Sequence, residues 1–336
     1  HIFLMLVTFC FPSMYYFPFE FFFLPGRNVK MLMAALGLVF CAFYFLKKRK
    51  VVAEKNLAPL FVLAAIVSAI GLFSMTFNGT IDDAYSGYII SMMVWLSAAF
   101  VVCNLIRFTH GKIDIEILCN YIIAVCVFQC ITAIMIDTIP SFQKFVDTYI
   151  NVDQRTLHDI HRLYGIGANL DVAGTRFSAC LIMIAVQIMR QKEYISPLKL
   201  IAYFLSFCII TVLGSMIART TYVGVLLAIG YIGLIIIGNM MKYSVTMSKK
   251  TLGIIAYVFS VVVLMAAFFT YEYHHDETIH YWLRFAFEGF FNLAETGHYS
   301  VASNDVLKDM YVFPETLKTW VIGDGYFSNP YWSDPN

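Results

Sequence analysis

The chain has 336 residues, of which 60% are hydrophobic and 13% charged, with a formal net charge of +1 and a mean hydropathy of +0.72. Soluble domains are about half apolar and roughly a quarter charged, so this composition excludes an ordinary soluble fold and predicts an integral membrane protein in a lipid bilayer. No nucleic-acid partner is expected. The chain opens on His1 and stops at Asn336 in a polar segment, so both ends are expected to be cuts from a longer protein.

A helix needs about 20 apolar residues to cross the hydrocarbon core, and that template fits nine times, at 2–23, 29–46, 57–77, 85–106, 117–136, 173–189, 197–217, 221–241 and 251–270. Pro12, Pro18 and Glu20 interrupt the first span, and Lys30 must snorkel to the interface in the second. The fold expected is therefore all-α, a bundle of nine transmembrane helices over 1–270, with 271–336 beginning a large outer loop. Loops after even-numbered spans carry thirteen basic residues (Lys47, Lys48, Arg49, Lys50, Lys55, Arg107, Lys112, Arg190, Lys192, Lys199, Lys242, Lys249, Lys250) against four acids. The positive-inside rule makes these loops cytoplasmic. The odd-numbered loops would then face the outer side of the membrane.

Two outer segments exceed what a connection needs. In 137–172, Ile139, Phe142, Phe145, Val146, Tyr149 and Ile150 recur at three and four residues opposite Gln143, Lys144 and Asp147. That spacing predicts a short amphipathic helix lying on the membrane. Beyond Thr270, helices are predicted over Ile279–Leu293, near Asn304–Met310 and from Pro314 at a first-turn position. An extended piece from Trp320 to Phe327 with a Gly-Asp-Gly turn follows. Asn78-Gly-Thr80 is a formal glycosylation sequon, read as incidental. All eight cysteines lie in apolar stretches without metal or redox spacing, and Cys126 and Cys130 share a helix face suited to close packing.

Spans three to nine have no Asp, Glu, Lys, Arg or His near mid-depth, which argues against a proton-coupled transporter. Charge gathers at the outer face instead. Arg162-Leu-Tyr-Gly-Ile-Gly-Ala-Asn169 joins a polar segment to a new span, and Ala218-Arg219-Thr220-Thr221 forms a very short hairpin between spans seven and eight. Arg162 and Arg219 read either as interfacial arginines snorkelling to headgroups or as phosphate ligands, since a guanidinium fork matches phosphate oxygens. Gly165 and Gly167 would let backbone N–H groups approach an anion. Arg176 reads as a further phosphate ligand or as a partner of Asp171, and Asn169 as a sugar ligand or a helix cap. Asp276 and His280 share a helical face, but no second strong ligand pair supports a metal, so none is expected. His274, His275, His280 or His298 would suit a general base. There is no phosphate loop, H-E-x-x-H or dinucleotide fingerprint, and no cofactor is expected.

In order and sidedness these residues resemble the O-antigen ligase and Wzy-type polysaccharide polymerase superfamily of bacterial envelope enzymes. The matching features are Arg162, Gly165 and Asn169 before a new span, then Arg219, Thr220 and Gly224 in a hairpin, then Gly323 and Gly325 in the large loop. The resemblance implies a metal-independent membrane glycosyltransferase acting on undecaprenyl-pyrophosphate-linked glycan donors and a glycan acceptor, with Arg162 and Arg219 holding the pyrophosphate. It also implies a chain-length regulator protein as a partner, and a loop histidine beyond Asn336. Ala218 replaces the usual Ser and Ala168 the usual Pro, departures that lean toward a polymerase rather than a ligase.

Overall fold

The computed structural model describes residues 2–48, 57–151, 163–190, 196–242, 267, 270–271, 273–311 and 313–327. In chain order these form α1 (Ile2–Tyr16), β1 (Glu20–Phe21), α2 (Val29–Lys48), α3 (Ala58–Asn78), α4 (Tyr88–His110), α5 (Ile115–Thr138), α6 (Pro140–Tyr149) and β2 (Ile150–Asn151). Then come α7 (Leu170–Arg190), α8 (Pro197–Ile217), α9 (Thr221–Lys242), α10 (Glu277–Ala286), α11 (Glu288–Thr296), α12 (Ala302–Met310) and α13 (Leu317–Val321). Among the described residues, six helices (α2 to α5, α7 and α8) are long and apolar enough to cross a bilayer. Only helices that satisfy their own backbone groups do so singly, and the chain is an all-α multi-pass membrane protein. Helix α1 and the Thr221–Ile235 part of α9 are apolar but shorter. The ninth expected span, 251–270, lies outside the described residues except for Ala267 and Thr270.

The first span ends earlier than its hydropathy predicts. Pro18 disfavours helical backbone at Phe17, and the chain leaves α1 after Tyr16. It then pairs Glu20 and Phe21 antiparallel with Asn151 and Ile150. At 15 residues, α1 is about 22 Å long, short of the roughly 30 Å hydrocarbon core.

By contacts the chain divides into two compact units, His1–Val29 with Ile106–Val301, and Lys30–Leu105 with Ala302–Asn336. Beyond residue 270, α10 and α11 belong to the first unit and α12 and α13 to the second.

The first unit is built around one apolar cluster from Phe17, α5, α7, α8, α9 and α10, with Phe177, Leu181, Ile184, Ile210 and Ile217 at its centre. Helix α7 lies against α9 at glycine distance: a Cβ on Gly224 would overlap the Ser178 backbone, and one on Gly174 would overlap Thr220. Such small-residue contacts let membrane helices pack backbone to backbone. Ser178 locks the pair, its Oγ donating to the Thr220 carbonyl at 2.7 Å and accepting from the Gly224 N–H at 3.1 Å. At the N-terminal end of α5, Glu116 pairs with Lys199 of α8, and Tyr203 Oη donates to Asn120 Oδ1 at 2.7 Å. At its C-terminal end α6 folds back. The pre-proline residue Ile139 is extended, as such residues must be. Val146, Ile150 and Tyr164 close a second small cluster there with Ile136.

The predicted helix over Ile279–Leu293 is two helices, broken at Phe287 and rejoined by a bidentate Arg284–Glu295 pair at 2.6 and 2.7 Å. Pro314 does not open the last helix. Thr316 caps α13 instead, its side chain accepting from Thr319 N–H, because a hydroxyl can satisfy an orphan helical donor.

In the second unit, the connection after α3 meets the segment after α13. Asn78 Nδ2 donates to Gly323 O at 3.0 Å, and Thr80 Oγ1 donates to Gly325 O at 2.6 Å. The Phe327 N–H donates to Asp82 Oδ2 at 2.8 Å. Gly323 and Gly325 both have left-handed φ, near +79° and +77°, which glycine adopts without steric cost.

Candidate functional site

The site is assembled in the first unit where α7 begins and α8 turns into α9. Residues 163–168 form a tight turn in which the Gly165 N–H donates to Ala168 O at 2.7 Å. Both glycines of this turn sit in close contact. A Cβ on Gly165 would come 2.6 Å from Gln129 Oε1, and one on Gly167, whose φ is +73°, would meet the Phe17 and Pro18 carbonyls. The Gly165 amide is thus already spent within the turn, and its missing side chain makes room for α5.

Asn169 precedes α7, and its carbonyl accepts the first helical bond, from Ala173 N–H at 3.2 Å. Leu170, the first residue of α7, has φ +47°. A left-handed, non-glycine residue is uncommon and costs of order 1 kcal/mol, so the helix starts under backbone strain next to Asn169. One turn on, Arg176 is half-buried. Its guanidinium lies over the Phe17 ring, 5.5 Å from the centroid, and its backbone carbonyl accepts from Tyr16 Oη at 3.0 Å. Among the described residues no carboxylate bridges it. The side chain of Asp171, the alternative partner, lies outside those described.

Gly174 carries the α7 start directly onto the Ala218–Thr220 turn, where an added Cβ would meet Ala218 Cβ at 2.8 Å. Arg219 stands in that turn, with Nε donating to Phe285 O at 2.9 Å and Nη1 at 2.5 Å from Glu288 Oε2. Its guanidinium stacks 3.9 Å from the centroid of the Phe285 ring. The two charged side chains are 23% and 22% exposed, so the pair is mostly out of water and held in one geometry. Thr220 turns its Oγ1 inward, where it is buried without a hydrogen-bond partner among the described residues.

Arg176, Asn169, Arg219 and Thr220 therefore belong to one region, and Gly165 adjoins it through Ala168 and Gln129. Arg162 lies outside the described residues; the next residue, Leu163, is buried in the main cluster.

Neither of two further residues of this region is singled out by the sequence. Gln129, 1% exposed in the middle of α5, presents a carboxamide oxygen with no hydrogen-bond partner among the described residues. A lone amide in an apolar span was its available signal. Glu288 gave none, being one acid among many in a long loop.

The histidines are used locally. His280 Nδ1 is 3.1 Å from Tyr273 O, and His275 Nδ1 is 2.7 Å from Tyr271 O. Asp276 caps α10, accepting from Ile279 N–H at 2.9 Å. Among the described residues no group of three or more His, Cys, Asp or Glu is placed to hold a metal ion. His298 is exposed beside α11.

Chemically, the region offers two guanidinium groups on facing elements, aromatic rings beneath each, and unpartnered oxygens on Gln129 and Thr220. Comparison with protein-family models, curated proteins and solved structures gives no match.

Proposed function

We propose that this chain is a membrane glycosyltransferase that polymerises undecaprenyl-pyrophosphate-linked repeat units at the periplasmic face of a bacterial inner membrane. One observation carries the reading: the contact of Gly174 with Ala218 and Thr220 brings the start of α7, the helix that bears Arg176, against the turn that bears Arg219. Two arginines far apart in sequence are thereby brought to one end of the first unit, each partly withdrawn from water, where phosphate contacts are strongest. Contacts between loops expected on the same side support this reading. Segments expected on the outer side meet one another, as in β1 with β2 and Arg219 with Phe285, while Glu116 and Lys199 of two expected inner loops pair at the other end of α5.

In this reading the donor arrives activated by its leaving group, so the protein positions an acceptor hydroxyl and neutralises charge developing on pyrophosphate. Arg219 is the principal ligand, Arg176 the second, with Arg162 adding to them. Glu288 holds the Arg219 fork in place and yields to the donor. Thr220 and Gln129 supply oxygens for donor hydroxyls.

The test is polymer length in cells producing Arg219→Ala or Arg176→Ala at wild-type protein levels. Loss of one such contact costs roughly 10²–10³ in rate, so the long-chain ladder collapses to single repeats. Normal ladders for both variants overturn the proposal. Accumulation of long unattached chains in a null strain would instead assign the ligase reaction.

A further inference from the structure

The second unit holds a cavity of its own, about 330 Å³, between the end of α3, the connection after it and the Gly323-Asp-Gly325 turn. We infer that this cavity binds a neutral sugar unit, stacked on Tyr85 and Tyr326 and hydrogen-bonded by Asp82 and Asp324.

The wall materials argue for that chemistry. Part of the lining is apolar, from Val67, Ile70 and Gly71, the last packed directly against the Tyr85–Ser86 backbone. The rest includes Tyr85, Tyr326 and Phe327, with Tyr85 edge-on to Phe327 at 5.3 Å between centroids. Tyr85 and Tyr326 remain 50% and 46% exposed, although a tyrosine ring in contact with a protein surface gains by burial. A pyranose has one C–H face that rings of this kind cover and a rim of hydroxyls that needs acceptors. The acceptors are present, because a carboxylate offers about four lone-pair sites. Asp82 receives Ala84 N–H at 3.2 Å and Phe327 N–H at 2.8 Å, and Asp324 receives Thr319 Oγ1 at 3.1 Å. These bonds fix both carboxylates in place.

Charge excludes the competing occupant. Two carboxylates at one cavity repel phosphate or pyrophosphate, so this is not a second anion site. The volume lies at the low end of the roughly 300–1,000 Å³ usual for ligand pockets, a fit for a short saccharide and too small for a long lipid chain.

The cavity and the sugar class stand on this geometry alone; only its use as an acceptor subsite rests on the glycosyltransferase reading. The experiment is saturation-transfer NMR on the full chain in nanodiscs, with maltose, cellobiose and lactose as probes and inorganic pyrophosphate as competitor. At least one disaccharide receives saturation from the wild type, pyrophosphate does not displace it, and Tyr326→Ala and Asp324→Asn each weaken it about tenfold. Tyr326 makes none of the hydrogen bonds that hold the turn, so its variant keeps the fold while losing the platform. Absence of transfer from all three sugars, displacement by pyrophosphate, or undiminished binding in both variants overturns the inference. Sugar binding here together with a normal polymer ladder in Arg219→Ala and Arg176→Ala would retain the cavity and remove the enzyme.

Discussion

Arg219 and Glu288 meet at 2.5 Å with about three quarters of each side chain withdrawn from solvent. Removing one partner of such a pair strands the other charge, whereas neutralising the acid while keeping its shape frees the guanidinium for another anion. Glu288→Gln is therefore expected to bind inorganic pyrophosphate more tightly than wild type, by about tenfold, in titration calorimetry on the full chain. Arg219→Ala is expected to lose that binding.

Ser178 and Gly224 form the seam between α7 and α9. Ser178→Ala forfeits the bonds to Thr220 O and Gly224 N–H, a loss of about 1–3 kcal/mol. Gly224→Val forces the helices apart and costs about 1–3 kcal/mol or more. Thermal melts in detergent should rank Gly224→Val below Ser178→Ala and both below wild type.

Tyr164 donates to Asp147 Oδ1 at 3.0 Å, tying the 163–168 turn to α6. Burial first, and the Asp147 charge second, push its hydroxyl up to about 12. A group with a raised folded-state pKa contributes stability that is complete below its unfolded value, near 10, and is lost as pH rises through the folded one. The wild type should thus lose stability between pH 10 and 12 by more than Tyr164→Phe does, measured by denaturation midpoints across that range.

Arg284 and Glu295 couple α10 to α11 on the exposed surface. The bidentate bond from Arg284 holds the Glu295 carboxyl below its usual range. That contribution is present above the unfolded pKa and disappears as pH falls through the folded one. Protection of the 288–296 amides from exchange, taken relative to an unstructured chain at the same pH, should fall in acid for wild type and should already be low at neutral pH in Arg284→Gln.

Asn78 and Thr80 anchor the Gly-Asp-Gly turn, so the sequon is a clasp, with its amide donating to Ser74 O and Gly323 O. Asn78→Ala and Thr80→Val are expected to expose 322–327 to limited proteolysis, with little change in helix content by circular dichroism.

The helices were legible because crossing a bilayer demands length and apolarity together. Expected and observed boundaries agree within a few residues for α2, α3, α5, α7 and α8. What failed to show was local and competitive. Pro18 outweighed the aromatic run Phe21–Phe23, and Thr316 outbid Pro314 for the start of α13. The break at Phe287 interrupts an uninterrupted periodic pattern. In the candidate site, sequence placed Arg219 in a tight turn, as found, but its attachment to Phe285 and Glu288 depends on a contact 66 residues away along the chain for the first of them. No local pattern encodes such a pairing. Gly165 and Gly174 were visible as glycines, yet which surface each one admits was not.

The clasp between Asn78, Thr80 and Asp82 and the 323–327 turn spans 245 residues. At roughly 5–20 residues per second of synthesis, its first half waits about 12–50 s before its second half exists. The sugar-sized hollow therefore cannot close until the 323–327 turn has been made. A chain released before Gly323 would insert its helices and never acquire that compartment.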